Sequence, residues 1–418
     1  MSLNIVIPAA WYNDVQAHIT MDNLNVLTSR VASKIEGLNL NLNLNENFLP
    51  YEISDKLTKK DVLFALYNEI GKYELPESMN TPEGEDKALY YMVSKSIFRG
   101  DGLALDLDSP ATLEQAALFA TRFTGRVYLE ANAGAKGLLW KVKHDGNTVY
   151  LLGSVHVAKH DVYPFSKELK QAYADSDVLV VEANIVSDVE GIQYMQSKMI
   201  YADGTTIEDH LSKEGYKKLE ESMLKLGVPK ENYNIAKPWL LTQQLSMISM
   251  AKDGGVGSSP FAATLGIDQY LMTSALFGGK QIQELEGIKF QADMFDSFSD
   301  ELQEKQLVEI MKTFDDEKVK ETNANLVDGW LDSWAEGNLE KFKSKFDKNI
   351  DGTDELSKEY ADKLWINRDD NMAKSVVKYL VSDEKKTYFI VAGAGHMVGE
   401  KGIIKQLQDA GCKVEQLK

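Results

Sequence analysis

Cysteine occurs once in the 418 residues, at Cys412, which excludes an intramolecular disulfide framework and any multi-cysteine zinc or iron–sulfur site. Histidine is scarce too, with 6 in the chain. Basic residues are outnumbered, 46 Lys+Arg against 64 Asp+Glu, for a formal net charge of −18. A sequence-independent nucleic-acid binder needs Lys and Arg to displace phosphate counterions, and docking on anionic lipid needs them as well; neither partner fits this balance. No apolar run approaches the ~20 residues that span a bilayer. The opening Met1-Ser2-Leu3-Asn4 has neither a basic nor an apolar region and does not read as a signal peptide; a natural leader, if there is one, is missing from it. What is plentiful is apolar material, 44% of the residues, enough for a packed core in a chain long enough for two or three domains.

A composition shift near residue 130 divides the chain into 1–130, mainly helical with acidic, Asn-rich loops, and 136–418, where strands alternate with helices. In the first part Asn39–Asn45 alternates Asn with Leu and reads as a loop or short edge strand, Asn being a poor strand former. Thr58–Gly71 aligns without gaps on Thr112–Gly125. Each opens on Thr as a helix N-cap, carries an acid or amide in its first turn, presents one apolar face, and is expected to close on Gly at the C′ position. Ser96–Gly102 reads as a helix end running into a turn. The paired segments resemble degenerate S-layer-homology repeats, modules that attach bacterial surface proteins to wall polymers. That resemblance implies a cell-wall polymer as partner of the N-terminal domain, and an extracellular or cell-surface location, with the cytoplasm as the alternative.

In the second part, 137–143 and 147–152 flank His144-Asp145-Gly146, whose Asp-Gly signals a hairpin. Val178–Val181 is a continuous apolar run suited to a fully buried strand. Strands are also expected at 281–285, 387–392 and 412–417, the last placing Cys412 in the core. Helices are expected near 189–200, 211–226, 237–252, 267–277, 300–322, 324–348 and 369–381. The fold expected is α/β, a mixed sheet flanked by helices with a helical insertion around 185–350. The charged run Asp300–Lys320 reads as a solvated helix face.

Two of the six histidines sit in matched motifs, Gly153-Ser154-Val155-His156 and Gly393-Ala394-Gly395-His396, each directly after an apolar strand. Each is thereby placed at a strand's carboxyl end, where open α/β sheets bind ligands. Glu182 ends the run Val178–Val181 at the same kind of edge. Two imidazoles and a carboxylate suit a divalent transition metal with positions left for water and substrate. The plainer alternative is that each His caps a loop and Glu182 pairs with a Lys or Arg. His156 and His160 have the i,i+4 spacing of a zincin, but no Glu follows His156, and His160 reads as a loop residue. Gly254–Ser259 lacks the P-loop Lys, and a serine nucleophile elbow is absent.

Leu151–His156, Tyr163-Pro164 and Ser176–Glu182 resemble the opening of the TraB/GumN family. Lys237-Pro238-Trp239, Gly266–Tyr270, Leu285-Glu286-Gly287 with Gln291, Asn367–Met372 and Val391–His396 follow in the family's order, covering about residues 136–418. Asp369 stands where Asn is common, and Gly287 where Thr is common. The family is related to the Tiki proteases. The resemblance implies a metal-dependent peptidase acting on a peptide or protein, with His156, His396 and Glu182 around a Mn2+- or Co2+-like ion, zinc being the alternative. Glu182 is then ligand or general base, and Arg368 holds a substrate carboxylate, steadies the oxyanion, or forms a salt bridge. Asp268 and Glu286 read as capping or pairing acids. Other family members imply a different function, a non-catalytic surface protein of the pheromone-shutdown type that sequesters a peptide or ligand.

Overall fold

A computed structural model describes residues 7–38, 43–75, 86–100, 104–156, 158, 162–249, 266–346, 348 and 352–417. Asn39–Leu42, His160 and Gly254–Ser259 lie outside the described residues. The chain forms two compact units, Met1–Ala135 with His160–Lys167, and Lys136–Lys159 with Glu168–Lys418.

The first unit is helical: α1 (Met21–Glu36), α2 (Lys59–Gly71), α3 (Lys87–Ser94) and α4 (Leu113–Glu130). Leu24, Leu27, Val31 and Ile35 make the buried stripe of α1, and Tyr91 of α3 sits at the centre, edge-on to Tyr67 at 5.8 Å and Phe123 at 6.3 Å. Thr58 and Thr112 do cap their helices, each in a capping box, with Asp61 and Gln115 respectively. A third helix, α1, starts the same way from Thr20 and Asn23, which the paired alignment misses. The segments leading into the three helices meet: Ile19 N–H donates to Ala111 O at 2.9 Å, and Ala111 N–H to Leu57 O at 3.1 Å. Neither glycine is at C′. Gly71 is the last helical residue, its Cα face covered by the Phe48 ring, and Gly125 lies inside α4. The helix runs on because Phe123 and Val127 continue the buried stripe and Arg126 pairs with Glu130 at 2.8 Å. Leu44, in the Asn-Leu stretch, forms an isolated bridge with Tyr73.

The second unit is α/β. Its strands are β1 (Leu138–His144), β2 (Asn147–Ser154), β3 (Val178–Val181), β4 (Gln281–Glu284), β5 (Thr387–Gly393) and β6 (Val414–Leu417), in one sheet of order β4-β3-β5-β2-β1-β6. β4, β3, β5 and β2 run parallel, and β1 is antiparallel to both β2 and β6. The β1–β2 hairpin turns on Asp145 (φ 44°) and Gly146 (φ 88°), the doubly positive φ that the Asp-Gly pair favours. Buried Asn147 fastens the start of β2 by donating to Leu380 O at 3.1 Å and accepting from Lys386 N–H at 2.9 Å. Cys412 is half-buried in the turn before β6, outside the strand and the core, so the strand expected from 412 begins two residues later.

The flanking helices are α5 (Lys167–Ala174), α6 (Val189–Lys198), α7 (Ile207–His210), α8 (Lys213–Lys225), α9 (Pro238–Ser249), α10 (Ile267–Gly278), α11 (Ile288–Asp296), α12 (Asp300–Lys312), α13 (Glu317–Ala335) and α14 (Leu339–Lys343). They continue with α15 (Glu355–Ala361), α16 (Asn367–Leu380), α17 (Ala394–Met397) and α18 (Ile403–Asp409). Between β3 and β5, Ile207, Leu219, Leu241, Leu307 and Met311 form a separate helical core, the expected insertion. Its breaks differ from those expected near 323. The chain stops at Lys312, restarts behind the Asp316 N-cap, and stops again before Gly337, whose φ of 67° suits glycine.

Replacing Thr112 by Ala removes one half of a capping box and is expected to cost about 1 kcal/mol. The check is the urea midpoint of the first unit's transition, followed by tyrosine fluorescence. A midpoint unchanged from wild type contradicts the assignment, and Thr112→Ser should leave it in place.

Candidate functional site

The sheet order brings the carboxyl ends of four parallel strands to one edge. Ser154 of β2 lies opposite Gly393 of β5, Val391 of β5 opposite Val181 of β3, and Val181 opposite Glu284 of β4. The residues that follow, His156, His396, Glu182 and Glu286, therefore rise from the same edge. β5 is the middle strand of the three that carry His156, His396 and Glu182. Gly393 at its end has the other groups on either side: a Cβ there would lie 3.4 Å from Glu182 Oε1, 3.5 Å from His396 Cδ2 and 3.8 Å from His156 Nε2. The two Gly-x-x-His turns also pack on each other, since a Cβ on Gly153 would lie 3.0 Å from the Ala394 Cα. Both motifs need glycine for close approach.

Each imidazole is held by an aspartate. His156 Nδ1–H donates to Asp268 Oδ2 at 3.0 Å, and His396 Nδ1–H donates to Asp369 Oδ1 at 2.6 Å. Because a carboxylate only accepts, each Nδ1 carries a proton, and the opposite side of each ring lies toward the space at Gly393. This is the arrangement by which ligating histidines are oriented. Asp268 is in the first turn of α10, and Ile267 N–H donates to Val155 O at 3.2 Å, which fixes that turn against the first motif. The environments differ: the His156 side chain is 66% exposed and that of His396 6%. The Asp268 carboxylate raises the His156 imidazole above its ordinary value, and Glu182 adds to it.

Glu182 is buried and fully engaged. Its Oε1 accepts from Gly393 N–H at 2.5 Å, and its Oε2 from Arg368 Nη2 at 2.7 Å and Gln291 Nε2 at 3.2 Å. Burial pushes its pKa up, but the imidazoles of His396 and His156, the Arg368 guanidinium and the Gly393 N–H outweigh it and hold the carboxyl down at about 2. Arg368, on the first turn of α16, also donates from Nε and Nη2 to Glu286 at 2.8–3.1 Å. Burial alone would lower its pKa, yet the two carboxylates raise it. Gly287, with φ 89°, caps α11 and starts the turn that brings Gln291 to both carboxylates.

The structure thus brings together His156, Glu182 and His396, and attaches Arg368 to Glu182 through an ion pair. The plainer reading of Glu182 as the partner of an Arg is realised alongside the convergence. Glu286 pairs with Arg368 and Asp268 with the His156 imidazole, both within the pairing expected of them. Sequence reasoning misses Asp369 and Lys348 at the site; a buried Asp directly after Arg368, where the family pattern has Asn, was the available signal for the first. His144 stays at the hairpin, and His210 stacks on Tyr201 at 4.0 Å, away from the edge. Among the described residues, no group of three or more His, Cys, Asp or Glu side chains is arranged so that it could hold a metal ion. The residue types at this edge, two imidazoles with Asp-held Nδ1 beside a carboxylate, are those that divalent transition ions take as ligands.

Removing the guanidinium with Arg368→Met leaves Glu182 and Glu286 buried without their cation. The expected cost at neutral pH is about 3–5 kcal/mol. In the wild type, Glu182 is depressed to about 2, so its contribution is present above the ordinary carboxylate value of ~4.3 and is lost as pH falls toward 2. In the variant the sign reverses, because protonation relieves the unpaired charge, and the deficit narrows on acidification. Urea midpoints at pH 7 and pH 4.5 check both points; a deficit that is constant across pH contradicts the ion cluster.

Three comparisons bear on what this site belongs to. Two relatives, both called uncharacterized protein YbaP, one from Escherichia coli strain K12 and one from Shigella flexneri, are each 25% identical over 146 residues. The match covers 35% of this chain and spans only 50% of each relative's length. No solved structure matches the fold. The model of the TraB/PrgY/gumN family matches residues 138–416, which takes in all six strands, both Gly-x-x-His turns and the Glu182–Arg368–Glu286 cluster, and the chain belongs to that family.

Proposed function

We propose that the α/β unit is a metal-dependent hydrolase that cleaves peptide bonds, related in kind to the Tiki proteases. The observation that carries this reading is the convergence of His156 Nε2, the Cδ2 side of the His396 ring and Glu182 Oε1 on the Cα face of Gly393. His156 and His396 would hold a Mn2+- or Co2+-like ion, zinc being the alternative, with Glu182 as the adjacent anion. When bound there, such an ion supplies Lewis-acid polarisation of the scissile carbonyl and acidification of a water.

The remaining roles belong to the chain. Asp268 and Asp369 keep both Nε2 edges presented. Glu182 stays ionised throughout the neutral range, and a carboxylate with a pKa near 2 is a weak proton acceptor there, which favours ligand or electrostatic partner over general base. Arg368, whose hydrogen bonds go to Glu182 and Glu286, acts as a positioning residue rather than as a substrate clamp. For the N-terminal unit we propose attachment to a wall polymer at the cell surface, supported by its three Thr-capped helices joined at their N-termini.

Metal content of the purified chain, read by inductively coupled plasma mass spectrometry, tests the first proposal. His156→Ala and His396→Ala should each lose at least about tenfold of the bound metal with unchanged circular dichroism. Incubation with a peptide library and Mn2+ should yield cleavage products from the wild type alone. Full cleavage in both variants, or after exhaustive chelation, sinks the hydrolase; stoichiometric peptide retention without products supports the sequestering alternative. The full chain should also co-sediment with purified cell wall, and a chain that stays in the supernatant counts against wall attachment.

A further inference from the structure

The two imidazoles of the site are held by aspartates in different states. Asp268 meets His156 with one oxygen, and its other oxygen is buried without a partner. Asp369, with a fully buried side chain, is held at both ends: Oδ1 accepts from His396 Nδ1–H at 2.6 Å, and Oδ2 accepts from Lys348 Nζ at 2.5 Å. The Lys348 side chain is only 7% exposed. Its ammonium lies 5.3 Å from the centroid of Trp365, and the Trp365 ring is in turn 4.9 Å from that of His396.

The local backbone is arranged around this contact. Asp362–Ile366 forms a π turn between α15 and α16, a geometry that adds one residue to a turn and is common at functional sites. Trp365 within it and Arg368, Asp369 and Met372 after it stand at spacings that share one helix face, and the last three of these are buried. Trp365 and Phe346 close on the second Gly-x-x-His turn so tightly that a Cβ on Gly395 would lie 2.9 Å from the first ring and 2.6 Å from the second. His396 therefore sits in a layer that cannot shift without moving Trp365.

A buried lysine is rare, and burying its charge is costly unless it is paired. The fold has no need of it: an uncharged pair would fill the same space at a lower desolvation cost. What the charge does here is hold one carboxylate oxygen so that the other can face only the imidazole. A carboxylate fixed at two points cannot rotate away from His396, and because it only accepts, it meets Nδ1 as N–H. We propose that Lys348 is a positioning residue for His396, acting through Asp369 to keep the ring proton on Nδ1 and the Nε2 lone pair presented to the space at Gly393. This makes His396 the preorganised half of the site and His156, exposed and held singly, the adaptable half. The inference rests on the reading of His396 as a metal-holding residue only for its consequence; the proton placement stands by itself.

Two measurements on the full chain test it. In the metal-free protein, 15N chemical shifts of the His396 ring should report a proton fixed on Nδ1 in the wild type and an Nδ1 proton partly lost to Nε2 in Lys348→Met. Mn2+ alone, titrated by calorimetry, should bind about 10–100-fold more weakly to the variant. Lys348→Arg should recover part of both effects, and adding Lys348→Met to Asp369→Asn should produce no further change. If the methionine variant does not fold, Lys348→Gln, which keeps an N–H donor and most of the volume, carries the same test. A variant that melts earlier yet keeps the wild-type ring form and Mn2+ affinity overturns the proposal and leaves Lys348 merely structural. Failure of Mn2+ to bind any of these proteins, with the ring form still changed by Lys348→Met, would overturn the metal reading and leave this one standing.

Discussion

The site depends on one buried cation. Arg368 stands between Glu182, at the end of β3, and Glu286, just beyond the end of β4, and gives each of them charge-assisted hydrogen bonds. Both carboxylates would otherwise be an unpaired charge next to a neighbouring charge of the same sign, inside a protein where water cannot screen them. Because Arg368 is on the first turn of α16, the ion cluster also fixes the rotation of that helix. Asp369 is the next residue along, so the contact that neutralises Glu182 is the one that aims Asp369 at His396. Two requirements of the site, an ionised carboxylate at Gly393 and an oriented imidazole beside it, are met by adjacent residues of one helical turn.

Glycine completes the arrangement from the sheet side. β5 lies between the strands that carry His156 and Glu182, so any side chain at position 393 would stand in the space the three groups share. Its absence leaves the backbone N–H exposed to Glu182 Oε1, which adds a hydrogen bond to the anion. The parallel register then does the rest: Ser154 opposite Gly393 places the first Gly-x-x-His turn one strand away from the second at equal height. Neither motif alone defines a site, and their separation in sequence is bridged only by strand order.

This explains what is legible in the sequence and what is not. His156, Glu182 and His396 can be found because each directly follows an apolar strand, and strand ends are local signals. The hairpin at Asp145-Gly146 and the helical insertion can be found for the same reason. The partners of those residues cannot: Asp268 and Asp369 look like first-turn acids of helices, and only the packing of α10 and α16 on the sheet edge turns them toward imidazoles. Lys348 carries no local signal, since its importance comes from a contact with Asp369. Where a helix end is expected at Gly125, the apolar stripe and an Arg126–Glu130 pair carry α4 onward, tertiary burial overriding a glycine. The third Thr-capped helix escapes because Thr20-Met21-Asp22-Asn23 shares the capping chemistry of Thr58 and Thr112 but not their flanking residues.

The distribution of buried charge gives the strongest reason to regard this edge as functional. Among the described residues, those buried that carry charge or an imidazole are Asp61, Glu182, Lys348, Arg368, Asp369 and His396. Asp61 belongs to the first unit, where it accepts from Ser54 and Thr58 and caps a helix. The other five lie together at the carboxyl edge of one sheet, linked by hydrogen bonds or by shared neighbours. Well-packed apolar residues would stabilise the fold at least as well as such a cluster, since the desolvation of each ion offsets most of its attraction to its partner. A fold that gathers five of these buried groups at a single strand edge is spending them on something other than stability. The geometry there, two imidazoles with their outer nitrogens held and a carboxylate kept ionised between them, is what that cost maintains.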